Sequence, residues 1–311
     1  MPQSDPSIRD RHWSHGFWWA ALALLVFGLP QCSLLVNKAM TWIPLGNSLI
    51  NATDIAISYA IYGVATAVSF ASGLVILAAI LLRAGSGWKR LLLAAGYVAV
   101  HCLVTGLVLA VTQSRWMQHA MQEESAYLRV IAYLFLSPAM SFASVFPAAV
   151  MQLFRGWTIT RGWPESKLQR VNVLALMEWV LVSALIFTFV RLSFFADYQS
   201  NVYAFYYEVL MVMLPAIGLG IVTMLLFRWI LCVDASPRRF LILLIIALIH
   251  AFVFAASFVA LQAEGDAIGP NLNLQYSIAP LSTCATGTLI VAATVGCLRK
   301  LGYRLHTSRT R

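Results

Sequence analysis

The sequence predicts an all-α, polytopic integral membrane protein, a bundle of about eight transmembrane helices. Three observations carry that expectation. Of 311 residues, 60% are apolar and only 11% are charged, against about a quarter charged in soluble domains. Eight apolar stretches reach the ~20 residues a helix needs to cross a ~30 Å hydrocarbon layer. Lysine and arginine then alternate between connections as the positive-inside rule requires.

The spans are predicted at Phe17–Leu35, Ile55–Leu82, Leu91–Val111, Val130–Phe154, Val171–Phe195, Glu208–Val233, Phe240–Leu261 and Ile278–Leu298. They form one transmembrane domain over residues 1–311, with no stretch polar and long enough for a soluble domain. Span 1 follows Arg9 and Arg11 and opens on Phe17, Trp18 and Trp19, residues suited to a membrane interface. Pro30 and Gln31 are not the small residues that a lipoprotein cleavage box wants before Cys32, so the span is read as uncleaved. Span 2 carries small residues four apart, Gly63, Ala67 and Ala71, and also Ala65, Ser69 and Gly73. Such a face lets neighbouring helices approach closely.

Span 3 follows Lys89-Arg90 and holds His101 near its middle. After it, Thr112–Arg129 gathers Trp116, Met117, Ala120, Met121, Tyr127 and Leu128 near one face, as in a helix lying in the interface. Span 4 contains Pro138 and Pro147. Span 5 contains Glu178 and Arg191, and the loop after it is rich in tyrosine. Span 6 opens at Glu208 and contains Pro215, Gly218, Gly220 and Arg228. Its proline and glycines make it the candidate for a broken helix, since unwound backbone in transporters lines a cavity. Span 7 follows Arg238-Arg239 and holds His250.

Orientation follows from counting. The amino-terminal tail, the connections after spans 2, 4 and 6, and the carboxyl tail together hold sixteen Lys and Arg. The alternate connections hold three, Lys38, Arg115 and Arg129. Both termini are therefore expected in the cytoplasm, with the protein in the plasma (cell inner) membrane. The same asymmetry accounts for the net charge of +9 and argues against nucleic acid as a partner. The lipid bilayer is the expected one. Five cysteines without a Cys-x-x-Cys pair argue against a zinc site and a disulfide framework.

Ionisable groups inside spans are functional candidates because burying them is costly. Glu178 and Arg228 fall at about 10 and 8 Å from the inner boundary at 1.5 Å per residue, within reach of each other as an ion pair. Arg191 and Glu208 match in depth near the outer end. Snorkelling of the two arginines is the alternative, leaving Glu178 a lone carboxyl. His101 and His250 each lie eleven residues beyond a basic pair and are 149 residues apart. A 4+4 parallel repeat of four-helix halves would give that spacing.

No P-loop, His-Glu-x-x-His, Gly-x-Ser-x-Gly or paired intramembrane aspartates occur, so an enzyme is not the favoured expectation. The favoured one is a small-solute carrier or permease with its site between the halves, near Glu178, Pro215, His101 and His250. Two alternatives stand: a non-catalytic subunit or scaffold of a membrane complex, and a haem or redox protein with His101 and His250 as axial ligands. No other cofactor is suggested. Reporters fused near Ser86, Arg161 and Ser236 should report cytoplasm, and those near Ser200 and Gly265 the outside. One reversed site in the middle would refute the eight-span order.

Overall fold

The computed structural model describes residues 6–32, 52–83, 87–112, 138, 140–142, 144–161, 217–232, 241, 245, 249, 252 and 270–306. These are mostly helical. Helix α1 (Pro6–Ala23) runs through a π turn at Leu24–Gly28 and stays helical through residues 29–32. Next come α2 (Ala52–Leu81), α3 (Gly87–Thr112) and α4 (Phe146–Arg155). Helix α5 (Ile217–Leu231) ends in a π turn at Phe227–Leu231, and α6 spans Pro270–Lys300. Four stretches are long and apolar enough to cross a membrane: His15–Cys32, Gly63–Leu81, Gly87–Val111 and Leu281–Lys300. They coincide with predicted spans 1, 2, 3 and 8.

Burial sorts these helices into two layers. In α2 and α6, 61% and 50% of the spanning residues are buried inside the protein, against 22% in both α1 and α3. The inner layer closes as a ring. Helix α2 packs along α6, where Thr283 Oγ1 donates to the Gly63 carbonyl at 3.0 Å. Helix α6 meets α5 at Gly287, where a Cβ would lie 3.0 Å from both Leu219 methyls. Helix α5 meets the α4 segment at Gly220, where a Cβ would overlap the Ser144 carbonyl and lie 3.1 Å from Pro147 Cδ. The ring returns to α2 where Ser141 Oγ donates to the Phe70 carbonyl at 3.1 Å. Three of these four contacts use a glycine or a small residue of span 2, because lipid gives helices no hydrophobic reason to associate and close packing must supply it.

Of the residues expected to break span 6, Pro215 lies outside the described residues. Gly218 and Gly220 lie within continuous helix, and Gly220 is a packing residue. Besides the π turns of α1 and α5, span 4 carries irregular backbone. At Val145 the helix is interrupted, and Ala148 N donates to Val145 O at 2.8 Å, three residues back rather than four. Pro147, which has no N–H to donate, occupies the first turn of α4.

The all-α expectation also needs one addition. Strand β1 (Thr158–Arg161) pairs antiparallel with β2 (Tyr303–His306), in the register Thr158 with His306, Ile159 with Leu305, Thr160 with Arg304 and Arg161 with Tyr303. Each strand follows a helix through a left-handed glycine, Gly156 at φ 59° and Gly302 at φ 88°. A side chain at that φ is strained, so glycine is what lets each helix stop and turn.

The ends of four helices meet at this sheet. Ile159 N donates to Leu82 O, just past α2, at 2.7 Å. Cys232 Sγ, just past α5, donates to Leu305 O at 3.9 Å. Helices α4 and α6 lead into the strands themselves. Lys300 at the end of α6 sits 5.9 Å from the ring centre of Trp18 in α1. So the apolar stretch of α1 begins, and α2, α4, α5 and α6 finish, at one end of the molecule.

The close approach at Gly220 sets a prediction. Gly220→Ala should lower the melting temperature of the detergent-purified protein, costing about 1–3 kcal/mol for overpacking against backbone. Gly96→Ala, where a Cβ meets nothing within 4 Å, should leave it unchanged or raise it slightly, since glycine is the weaker helix former by ~1 kcal/mol. Equal losses at both positions would refute the packing role.

Candidate functional site: a buried polar stripe

Helix α3 is inside-out relative to a soluble amphipathic helix. Arg90, Ala94, Tyr97, His101, Thr105 and Leu109 recur at helical spacing and are all buried. Four of the six are polar. The opposite face, Leu92, Val100, Leu103, Leu107 and Val111, is apolar and exposed. Lipid solvates that face, and the polar face must find its partners inside the protein.

The stripe finds them in three helices. Gln31 Nε2 of the first span donates to Thr105 Oγ1 at 3.1 Å. One turn back, the His101 ring lies 5.9 Å from that of Tyr97. Tyr97 packs on Phe27 at 6.0 Å and hydrogen-bonds Ser141 of span 4. The absence of a side chain at Gly73 makes this possible, because a Cβ there would overlap the Tyr97 hydroxyl and lie 2.8 Å from Ser141 Oγ. At the end nearest the sheet, Arg90 Nη1 and Gln152 Nε2 both donate to the Leu81 carbonyl, each at 3.0 Å. That carbonyl ends α2, where the helix leaves acceptors unfilled and favours a cation.

Buried polar atoms with no hydrogen-bond partner among the described residues include Gln31 Oε1 on α1, Ser72 Oγ on α2 and His101 Nδ1 on α3. Gln31 is 7% exposed, Ser72 0% and His101 2%. The stripe and its partner Gln31 offer an imidazole nitrogen and an amide oxygen, and α2 buries a separate hydroxyl at Ser72. Among the described residues, no group of three or more His, Cys, Asp or Glu is placed to hold a metal ion.

Of the residues singled out from sequence, His101 is the one placed in this stripe. Arg228 lies in the π turn that ends α5 and is exposed. Glu178, Arg191, Glu208, Pro215 and His250 lie outside the described residues, and with them the two expected ion pairs and the bis-histidine haem site. Sequence reading passed over Gln31, Tyr97, Ser141 and Gln152. A signal existed for α3: Arg90, Tyr97, His101 and Thr105 share one helix face in an otherwise apolar span. No family model, no curated protein and no solved structure matches this chain.

The bond between Gln31 and Thr105 is separable from packing by a double-mutant cycle. Gln31→Leu, Thr105→Val and their combination should give a coupling of about 0.6 kcal/mol, the usual worth of a hydrogen bond between membrane helices. Strictly additive losses would mean that the two side chains do not interact.

Proposed function

We propose that this protein is an eight-span carrier for a small, uncharged, hydrogen-bonding solute. It sits in the plasma (inner) membrane with both termini in the cytoplasm, and it is built as a 4+4 parallel repeat. The observation that carries the transport reading is the buried stripe, with open polar atoms on Gln31 and His101, beside the buried, unpartnered hydroxyl of Ser72 on α2. An unsatisfied polar group in a nonaqueous interior costs on the order of 1–3 kcal/mol, so a solute that bonds these atoms recovers free energy that packing forgoes. The groups are an amide, a hydroxyl and an imidazole, which suits a neutral solute better than an ion.

The span count is supported by the shared end of α2, α4, α5 and α6, since an even number of crossings must separate any two of them. The orientation is supported by Arg83, Lys89, Arg155, Arg161, Arg299 and Lys300, which all flank the sheet end. The repeat is supported by the way β1 leaves α4 to meet the end of α2, and β2 leaves α6 to meet the end of α5.

The test is flux. Purified protein in lipid vesicles should speed the osmotic swelling driven by glycerol, urea or erythritol above the rate of protein-free vesicles. The double variant Gln31→Leu with His101→Phe should slow the fastest of them about tenfold, equivalent to ~1.4 kcal/mol on the barrier. If none of the three solutes crosses faster than through protein-free vesicles, the carrier reading fails and a scaffold subunit takes its place.

A further inference from the structure

We infer that Arg83, Arg161 and Tyr303 hold the phosphate of an anionic phospholipid, in the leaflet at the sheet end. The inference stands apart from the carrier reading and begins with strand pairing. Arg83, just past α2, forms a parallel bridge with Ile159 of β1. Ile159 N, donating to Leu82 O at 2.7 Å, fixes it. Bridged residues project to one face of a sheet, and so do residues two apart along a strand. Arg83 and Arg161 therefore share the face of Ile159, as diagonal neighbours roughly 7–8 Å apart. Tyr303 is paired directly with Arg161 and joins them there.

That face turns toward the bundle. Its centre, Ile159 and Leu305, belongs to the buried core. Its rim does not: Arg83 and Arg161 are exposed, and Tyr303 is half-buried. The rim also lies at headgroup depth. Arg83 comes two residues after the span Gly63–Leu81, and Tyr303 comes three after Leu281–Lys300. Trp88, exposed at the start of α3, suits the same level.

Two guanidiniums held side by side repel unless something negative lies between them. Among the described residues no ion pair joins either of them to a carboxylate. The stem of Arg161 is also positioned: Gly302 has no side chain, and a Cβ there would lie 3.9 Å from Arg161 Cγ. A guanidinium offers paired N–H donors that match two oxygens of a phosphate, and a phenol adds another donor. Basic pockets at the ends of membrane helices recognise lipid headgroups in this way. A phospholipid with no cation of its own fits best, because choline would press its charge against the same arginines. Arg304 is not part of the site. It pairs with Thr160, and adjacent positions on a strand alternate between faces, so its side chain leaves from the other side.

Native mass spectrometry of the full chain tests this. Released from detergent with equimolar dioleoyl phosphatidylglycerol and dioleoyl phosphatidylcholine, the protein should retain phosphatidylglycerol in preference. Arg83→Gln and Arg161→Gln should each lower that preference about fivefold, equivalent to ~1 kcal/mol, the worth of one basic side chain at an anionic surface. Arg304→Gln removes the same charge from the opposite face and should leave the preference unchanged. An equal loss in all three variants would mean a diffuse basic field and overturns the site. Equal retention of the two lipids by the native chain overturns it as well. Inorganic phosphate that displaces phosphatidylglycerol at millimolar concentration would assign the arginines to a soluble anion, which also overturns the lipid site.

Discussion

Everything in this molecule answers to one constraint: hydrocarbon supplies no hydrogen bonds. The end of α2 shows how the chain meets it. A helix leaves its last carbonyls unfilled, and here they are filled from three other parts of the sequence. Leu81 O receives Arg90 and Gln152, and Leu82 O receives Ile159 N. One helix terminus thereby fixes the start of α3, the end of α4 and the position of β1. The strand pair follows, because β1 can meet β2 only where the end of α2 holds it.

The same constraint explains why the inner helices come so close. Backbone approach replaces the hydrophobic effect, which is weak between helices already in an apolar solvent. Gly220 admits the irregular turn at Val145, and Gly287 admits Leu219. Proline and glycine therefore act as partners on different helices. Pro147 disturbs span 4, and Gly220 on span 6 receives the disturbed backbone.

This division shows what was legible in the sequence. The positions of spans 1, 2, 3 and 8 were, because length and polarity alone decide them. The helical ends differ by a few residues, as with α2 starting at Ala52 rather than Ile55, since polar residues continue a helix past the hydrocarbon. The irregular turn at Val145 was not singled out, because Pro147 alone is a weaker local signal than Pro215 with two glycines. The strands were not legible. Thr158–Arg161 and Tyr303–His306 are four residues each, and their pairing joins segments more than a hundred residues apart. No local pattern announces such a pairing. The stripe on α3 was half legible: His101 stood out as ionisable, whereas Tyr97, Gln31 and Ser141 are ordinary residues until their neighbours are known.

The polarity of α3 finally separates stability from function. A membrane helix can face lipid with leucine and valine at little cost, so its polar face is free to be specialised. Where the stripe is satisfied, at Leu81 O and between Gln31 and Thr105, it ties helices together and works as structure. Where it is open, at His101 Nδ1, packing alone gives no reason to bury a polar atom. A chain shaped only for stability would place carbon there. The satisfied and open atoms alternate along one face within a few turns, so the contacts that fix the helix also hold the open groups in place. That is the condition a binding site has to meet: groups held rigidly by others that are already bonded.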